Sequence, residues 1–230
     1  MKYNSWPLGH IPEELQRPEI NQLAEAGYKL KDDRDAIDIF EKKVAEFAGA
    51  KYAVAVDCCS HGLFLCLKYY DFIGPITIPE QTYISVPMQI IHAGLYPVFE
   101  SIKWYGTYQL KPTNIWDAAA RWRKGMYIPK SLMVLSFQIK KRIPIGKGGM
   151  ILTDNKNAYN KLKLMSYDGR DLNVPYDSKD HIKCLGYHYY MTPEDAARGI
   201  LLMDKIKETG DSACFENYPE IDYESINYRD

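Results

Sequence analysis

Short apolar runs, each followed by a stretch of helical periodicity, recur along this chain and narrow its possible folds more than any other feature. Tyr52-Ala53-Val54-Ala55-Val56 has the length of a buried strand and leads through Asp57-Cys58-Cys59-Ser60-His61-Gly62 into a helical pattern over Leu63 to Tyr69. Pro75 to Pro79, Tyr96 to Phe99, Leu132 to Phe137 and Gly149 to Thr153 read as further strands, and Asn114 to Asp117 as the end of another. Helices are expected at Asp35 to Phe47, stopped by Gly49, at Ser85 to Ala93 and at Asn157 to Met165, with a shorter one near Glu13 to Ala26. Strands that are apolar throughout are buried on both faces, and alternation with helices provides the cover: an α/β sheet between helix layers. From Asp211 onward the chain turns polar and aromatic without period and reads as an extended tail.

Composition agrees with a packed enzyme-sized core. The chain has 230 residues, 46% apolar and 26% charged, which excludes disordered and low-complexity classes. Lys and Arg total 29 against 30 Asp and Glu, so there is no basic excess for coating nucleic-acid phosphates. No window approaches the roughly 18 apolar residues of a membrane span, and Met1 to Pro7 lacks the pattern of a signal peptide. The five cysteines, Cys58, Cys59, Cys66, Cys184 and Cys214, are odd in number and contain no C-x-x-C pair. That arithmetic fits neither a disulfide framework nor a zinc site, and a reducing cytoplasmic compartment is expected, with no metal.

Three segments could carry chemistry. Val56 to Leu63 passes from a strand through a turn into a helix, so backbone N–H groups and the Ser60 hydroxyl gather at a helix N-terminus, a ready anion site. The plainer reading is an ordinary N-cap. Ser136 to Gly149 places Lys140, Lys141 and Arg142 after an apolar strand and before Gly146-Lys147-Gly148-Gly149. A lysine in a partly dry pocket becomes a nucleophilic amine, whereas most such runs are solvated basic loops. Asp117, at a strand end before Ala118-Ala119, can lie against a flat ligand or simply cap a helix.

Taken in order, these segments resemble the DegT/DnrJ/EryC1/StrS family of sugar aminotransferases, which depend on pyridoxal 5′-phosphate (PLP). The resemblance runs from about Phe40 to about Lys205. It includes Phe40 to Val56, Ile91-His92-Ala93-Gly94-Leu95-Tyr96-Pro97-Val98-Phe99, Asp117-Ala118-Ala119, Gly169-Arg170, Leu185-Gly186-Tyr187-His188-Tyr189-Tyr190-Met191 and Ala196-Ala197. It implies the aspartate-aminotransferase-like (fold type I) large domain, with a mixed, mostly parallel sheet between helices. Residues 1–30 would form an N-terminal arm, 31–207 the PLP-binding domain and 208–230 a tail, with the family's small C-terminal domain largely absent.

The resemblance also implies roles. The spacing from Ser136 and to Gly146 places the family's Schiff-base lysine at Lys141 rather than Lys140. Ser60 and Ser136, with the N–H groups of Cys59 and Ser60, would hold the PLP phosphate. Tyr83 would stack on the pyridine ring, Asp117 would pair with its protonated nitrogen, and His188 would reach across the interface of a homodimer. The reaction implied is transfer of an amino group from an amino-acid donor to a keto sugar linked to a nucleotide. Two alternatives are a PLP-dependent sugar dehydratase or eliminase, whose lysine is commonly histidine, and a truncated PLP-binding homologue without turnover. The chain departs from the family pattern where Cys58-Cys59-Ser60 replaces Ser-Gly-Thr, where Gln138 replaces histidine, at Ala120 and Tyr190, and in a shortened stretch between Phe99 and Asn114.

Overall fold

The computed structural model describes residues 15–175 and 177–226. Helix α1 spans Glu19–Glu25 and α2 Asp35–Ala48. The expected first helix is thus shorter than Glu13 to Ala26: Pro18 sits at its N-cap, and residues 13 and 14 lie outside the described residues. Helix α2 ends where Gly49 takes φ +79°, a left-handed turn that glycine adopts without steric cost. Strand β1 (Tyr52–Val56) then feeds α3 (Cys59–Tyr70), and β2 (Pro75–Pro79) leads to α4 (Ser85–His92) and β3 (Tyr96–Glu100). Three short strands follow, β4 (Tyr108–Leu110), β5 (Ile115–Asp117) and β6 (Arg121–Trp122). Next come β7 (Leu132–Ser136), β8 (Gly149–Thr153), α5 (Lys156–Ser166), α6 (Pro193–Lys205) and β9 (Gly210–Asp211).

The main sheet has the order β1-β8-β7-β5-β4. It is mixed and mostly antiparallel, where a mostly parallel sheet was expected. β8 is antiparallel to both β1 and β7, and β4 is antiparallel to β5, so the β5–β7 ladder is the parallel one. β1, β5 and β7 nevertheless point the same way, because β8 enters between β1 and β7 against their direction. The parallel pair β2–β3 joins the sheet through a bridge in which Thr77 and Lys111 exchange backbone N–H···O bonds of 2.8 and 3.1 Å. That bridge is antiparallel, so β2 runs with β5.

Side chains alternate across the sheet with the strand period of two. Val54, Val56, Leu132, Val134 and Ile151 pack into a core shared with α3, α4 and α5. Ala53, Ala55, Met133, Leu135, Met150 and Leu152 face a second core with α1, α2 and α6. The two cores explain why these strands are apolar at every position. A buried ion pair ties the layers at one edge: Lys163 Nζ lies 2.9 Å from both carboxylate oxygens of Glu41, and the Ala55 N–H donates to Glu41 at 2.7 Å.

The described residues after Asp211, expected to be an extended tail, include a 3-10 turn at Phe215–Asn217 and are bound to the body at several points. Asp211 pairs with Arg123 at 2.8 Å, and the Ser212 N–H donates to Ala120 O at 2.7 Å. The Phe215 N–H donates to Trp104 O at 3.2 Å and the Ile221 N–H to Glu80 O at 2.8 Å.

Candidate functional site

The carboxyl ends of β1, β2, β5 and β7 open on one cavity of about 560 Å³. This is where an open α/β sheet binds ligands, since the loops leaving the strands diverge there. Of the residues singled out in the sequence, Cys59, Ser60, Tyr83, Asp117, Ser136 and Lys141 all line it, and Lys140 does too. His188 does not. It is exposed on another face, with Nδ1 3.0 Å from the Asp168 carboxylate and its ring edge-on to Tyr190.

One wall is an anion cradle. The turn from β1 reaches α3 with Cys58 as N-cap, its sulfur accepting the His61 N–H. The N–H groups of Cys59 and Ser60, in the first turn of α3, have no intrahelical acceptor and lie at the cavity end of the helix. The Ser60 hydroxyl lies 2.7 Å from that of Ser85, and Ser136 Oγ accepts the Gln138 N–H at 3.3 Å. Gly149 starts β8 directly beneath the Cys58–Cys59 peptide, leaving no room for a side chain. Burial pushes the Cys59 thiol well up, so it stays protonated and weakly donates to Val134 O at 3.9 Å.

A second cluster braces this turn, with Lys147 also on the cavity wall. His61 Nδ1 is 2.7 Å from Asp57, Lys147 Nζ is 3.2 Å from the other oxygen of Asp57, and the His61 ring stacks on Tyr189 at 3.7 Å. The hydrogen bond to Asp57 raises the imidazole from 6.5 to about 9. Asp57, Cys58 and His61 bring their possible ligand atoms within 4.8 Å of one another, but these atoms are engaged with each other and with the Lys147 ammonium.

The opposite wall is carboxylate and aromatic. Asp117, 6% exposed, accepts the Ala119 N–H on Oδ1 and the Tyr108 hydroxyl on Oδ2, both at 2.8 Å. The Tyr108 hydroxyl also bonds to Thr82. Burial raises the Asp117 carboxyl, while its two donors and the nearby Lys141 oppose that rise. Trp104, tilted against Tyr108 and Tyr218, donates its indole N–H to Gln81 O at 2.8 Å. Tyr83, 59% exposed, meets Tyr218 edge-on at the mouth.

Thr82, Trp104, Tyr108 and Tyr218 were not foreseen as site residues. Tyr218 belongs to the aperiodic tail, and Trp104 and Tyr108 to the shortened stretch, where no regular pattern marks an inward side. The available signal was the density of aromatic residues in a short segment beside Asp117. Among the described residues no helix is long and apolar enough to cross a membrane.

The sequence model of the DegT/DnrJ/EryC1/StrS aminotransferase family matches residues 13–129 and 129–212. The chain is 30% identical over 205 residues to the spore coat polysaccharide biosynthesis protein SpsC of Bacillus subtilis (strain 168), covering 68% of this chain and 51% of that protein. It is 23% identical over 214 residues to the GDP-perosamine synthase of Caulobacter vibrioides, covering 74% and 56% respectively. Among solved structures, Helicobacter pylori PseC, an aminotransferase involved in the biosynthesis of pseudoaminic acid, matches with a TM-score of 0.63 at 18% identity. That match covers 84% of this chain and 64% of PseC, and it is a likeness of fold. The chain spans about half the length of the curated relatives it matches.

Proposed function

The chain belongs to the DegT/DnrJ/EryC1/StrS aminotransferase family, and from that premise we propose that it is a PLP-dependent aminotransferase carrying an amino group from an amino acid to a keto sugar. The observation that carries this reading is convergence: six residues singled out along 83 positions, from Cys59 to Lys141, line a single cavity. The residues present fit the cofactor. The cradle at α3 offers hydroxyls and helix-end N–H groups to a phosphate, with Gly149 keeping the turn unobstructed. Asp117 offers a buried carboxylate to a cationic ring nitrogen.

In this reading Ser60, Ser136 and the N–H groups of Cys59 and Ser60 hold the phosphate, Asp117 faces the pyridine nitrogen, and Tyr83 covers the ring. When bound, the cofactor supplies an electron sink and carries the amino group between the two substrates. Lys141 would hold the cofactor, and its Nζ, on the wall of the same cavity, would serve as the general base toward the donor's α-carbon. Burial of Trp104 and Tyr108 behind the ring site keeps water from that side of the cavity. Lys140, also on the cavity wall, gives a cation for a diphosphate, which supports a nucleotide-linked sugar as acceptor.

The exposed face bearing His188 supports a homodimer in which that residue approaches the partner's phosphate site. Leu185, 78% exposed, and Ile182, 62% exposed, are apolar groups nearby in sequence. Sedimentation of the PLP-loaded protein as a monomer with full cofactor affinity contradicts this arrangement.

Borohydride reduction of the PLP-saturated protein, followed by peptide mapping, tests the central assignment. The phosphopyridoxyl label is expected on Lys141, and Lys141→Ala loses it while Lys140→Ala keeps it. A label on Lys140, or on neither lysine, overturns the reading. Adding glutamate should change the cofactor's absorbance; a spectrum that no amino donor changes identifies a binding protein without turnover.

A further inference from the structure

We propose that Tyr108 is a positioning residue for Asp117, holding the carboxylate ionised and aimed so that the shared proton rests on the cofactor's pyridine nitrogen. The inference rests on the PLP reading above and extends it to a residue outside the motifs that suggested that reading.

The argument begins with proton directions. A carboxylate oxygen can only accept, so the single Tyr108 hydroxyl proton points to Asp117 Oδ2, 2.8 Å away. The Tyr108 oxygen is then free to accept, and the Thr82 hydroxyl donates to it. The three groups form a relay with one polarity, Thr82 to Tyr108 to Asp117. Each is buried: Thr82 is 2%, Tyr108 5% and Asp117 6% exposed. Their burial limits the access of solvent to these bonds, and in a medium of low dielectric each donor strengthens the next. The other titratable groups that feel Asp117 are Lys141, Cys59 and Tyr218.

Two opposing effects act on Asp117. Burial disfavours its charge, and in a dry pocket a carboxylate facing a pyridine can take the proton and leave a neutral pair. Hydrogen bonds to the charged form favour ionisation. Ala119 and Tyr108 supply those bonds, and Tyr108 is the side-chain donor. One proton is shared between the ring nitrogen and Oδ2 or Oδ1. A donor on the carboxylate lowers its basicity and leaves that proton on nitrogen, where the ring is the stronger electron sink. Tyr108 reaches this position because β4 runs antiparallel beside β5, opposite Asp117 in register.

The test is nitrogen NMR of the protein saturated with PLP labelled with ¹⁵N at the pyridine nitrogen, comparing wild type, Tyr108→Phe and Thr82→Val. Wild type is expected at the protonated chemical shift. Tyr108→Phe should move toward the unprotonated shift, and Thr82→Val in the same direction by less. The spectra are compared at saturating cofactor, so that any loss of affinity in a variant does not enter the comparison. A wild-type nitrogen that is unprotonated, or a Tyr108→Phe shift equal to wild type, overturns the proposal and leaves the cofactor assignment standing. Wild type that takes up no PLP overturns both. If thermal melting shows Tyr108→Phe unfolded, Thr82→Val decides, and an unchanged shift there overturns the proposal.

Discussion

A methyl group on Gly149 would stand 2.5 Å from the carbonyl carbon of Cys58 and 2.6 Å from the Cys59 nitrogen. The start of β8 is thus pressed against the backbone turn that opens α3. Both contacts are main chain, so neither can swing aside. Gly149→Ala should displace the turn, costing about 2–3 kcal/mol as overpacking does, and should weaken PLP retention in parallel. Gly148→Ala is the control: its nearest neighbour is the flexible Met191 methyl at 3.1 Å, so its denaturation midpoint should fall less. Equal losses for the two variants contradict the account.

Removing either hydroxyl from the cradle should loosen the cofactor without unfolding the protein. Ser60→Ala and Ser136→Ala are each expected to cost on the order of 1–2 kcal/mol of PLP binding, the usual worth of one hydrogen bond to a charged group. Equilibrium dialysis reads this as roughly a tenfold rise in the dissociation constant at 1.4 kcal/mol. Unchanged retention in both variants would put the phosphate elsewhere.

His61 should remain protonated through neutral pH. Its pairing with Asp57 raises it from 6.5 to about 9, so the stabilisation is complete below pH 6.5 and fades as pH climbs through about 9. Proton NMR of the imidazole should show a midpoint near the upper value, and Asp57→Asn should bring it back toward 6.5. A wild-type midpoint already near 6.5 sinks the claim.

The Glu41–Lys163 pair should matter more to stability than any exposed ion pair. Lys163→Ala leaves the buried Glu41 charge, whose side chain is 6% exposed, without its partner. A loss of about 3 kcal/mol is expected in chemical denaturation. Lys42→Ala, which breaks the exposed pair with Glu46 at 3.9 Å, should change the midpoint by less than about 0.5 kcal/mol.

Much of this architecture was legible where the chain obeys a period. Tyr52–Val56, Pro75–Pro79 and Gly149–Thr153 match the strands read from their apolar runs, since burial on both faces demands such runs. Helix α6 was not identified, although Thr192 before Pro193 is a helix-start signal and its hydroxyl does cap the Asp195 N–H. β4, β6 and β9 are two or three residues long, too short for any period to show. The direction of β8 was also hidden, because a residue run looks the same whichever way its neighbours lie. At the site, Ser60, Asp117 and Lys141 were visible through motif order. Thr82 and Tyr108 were invisible because a buried hydroxyl is recognised by its partner, and the partner lies across the sheet.

The stretch between Phe99 and Asn114 does two jobs at once. Lys111 stitches β2 to the main sheet, and three residues earlier Tyr108 delivers its hydroxyl to Asp117. Spacing along a strand is fixed, so the seam and the hydroxyl move as one piece. Adding or deleting a single residue between Tyr108 and Lys111 would put the tyrosine on the wrong face of the ladder in the same step that misaligns the seam, whereas a change of length before Tyr108 would leave both in place.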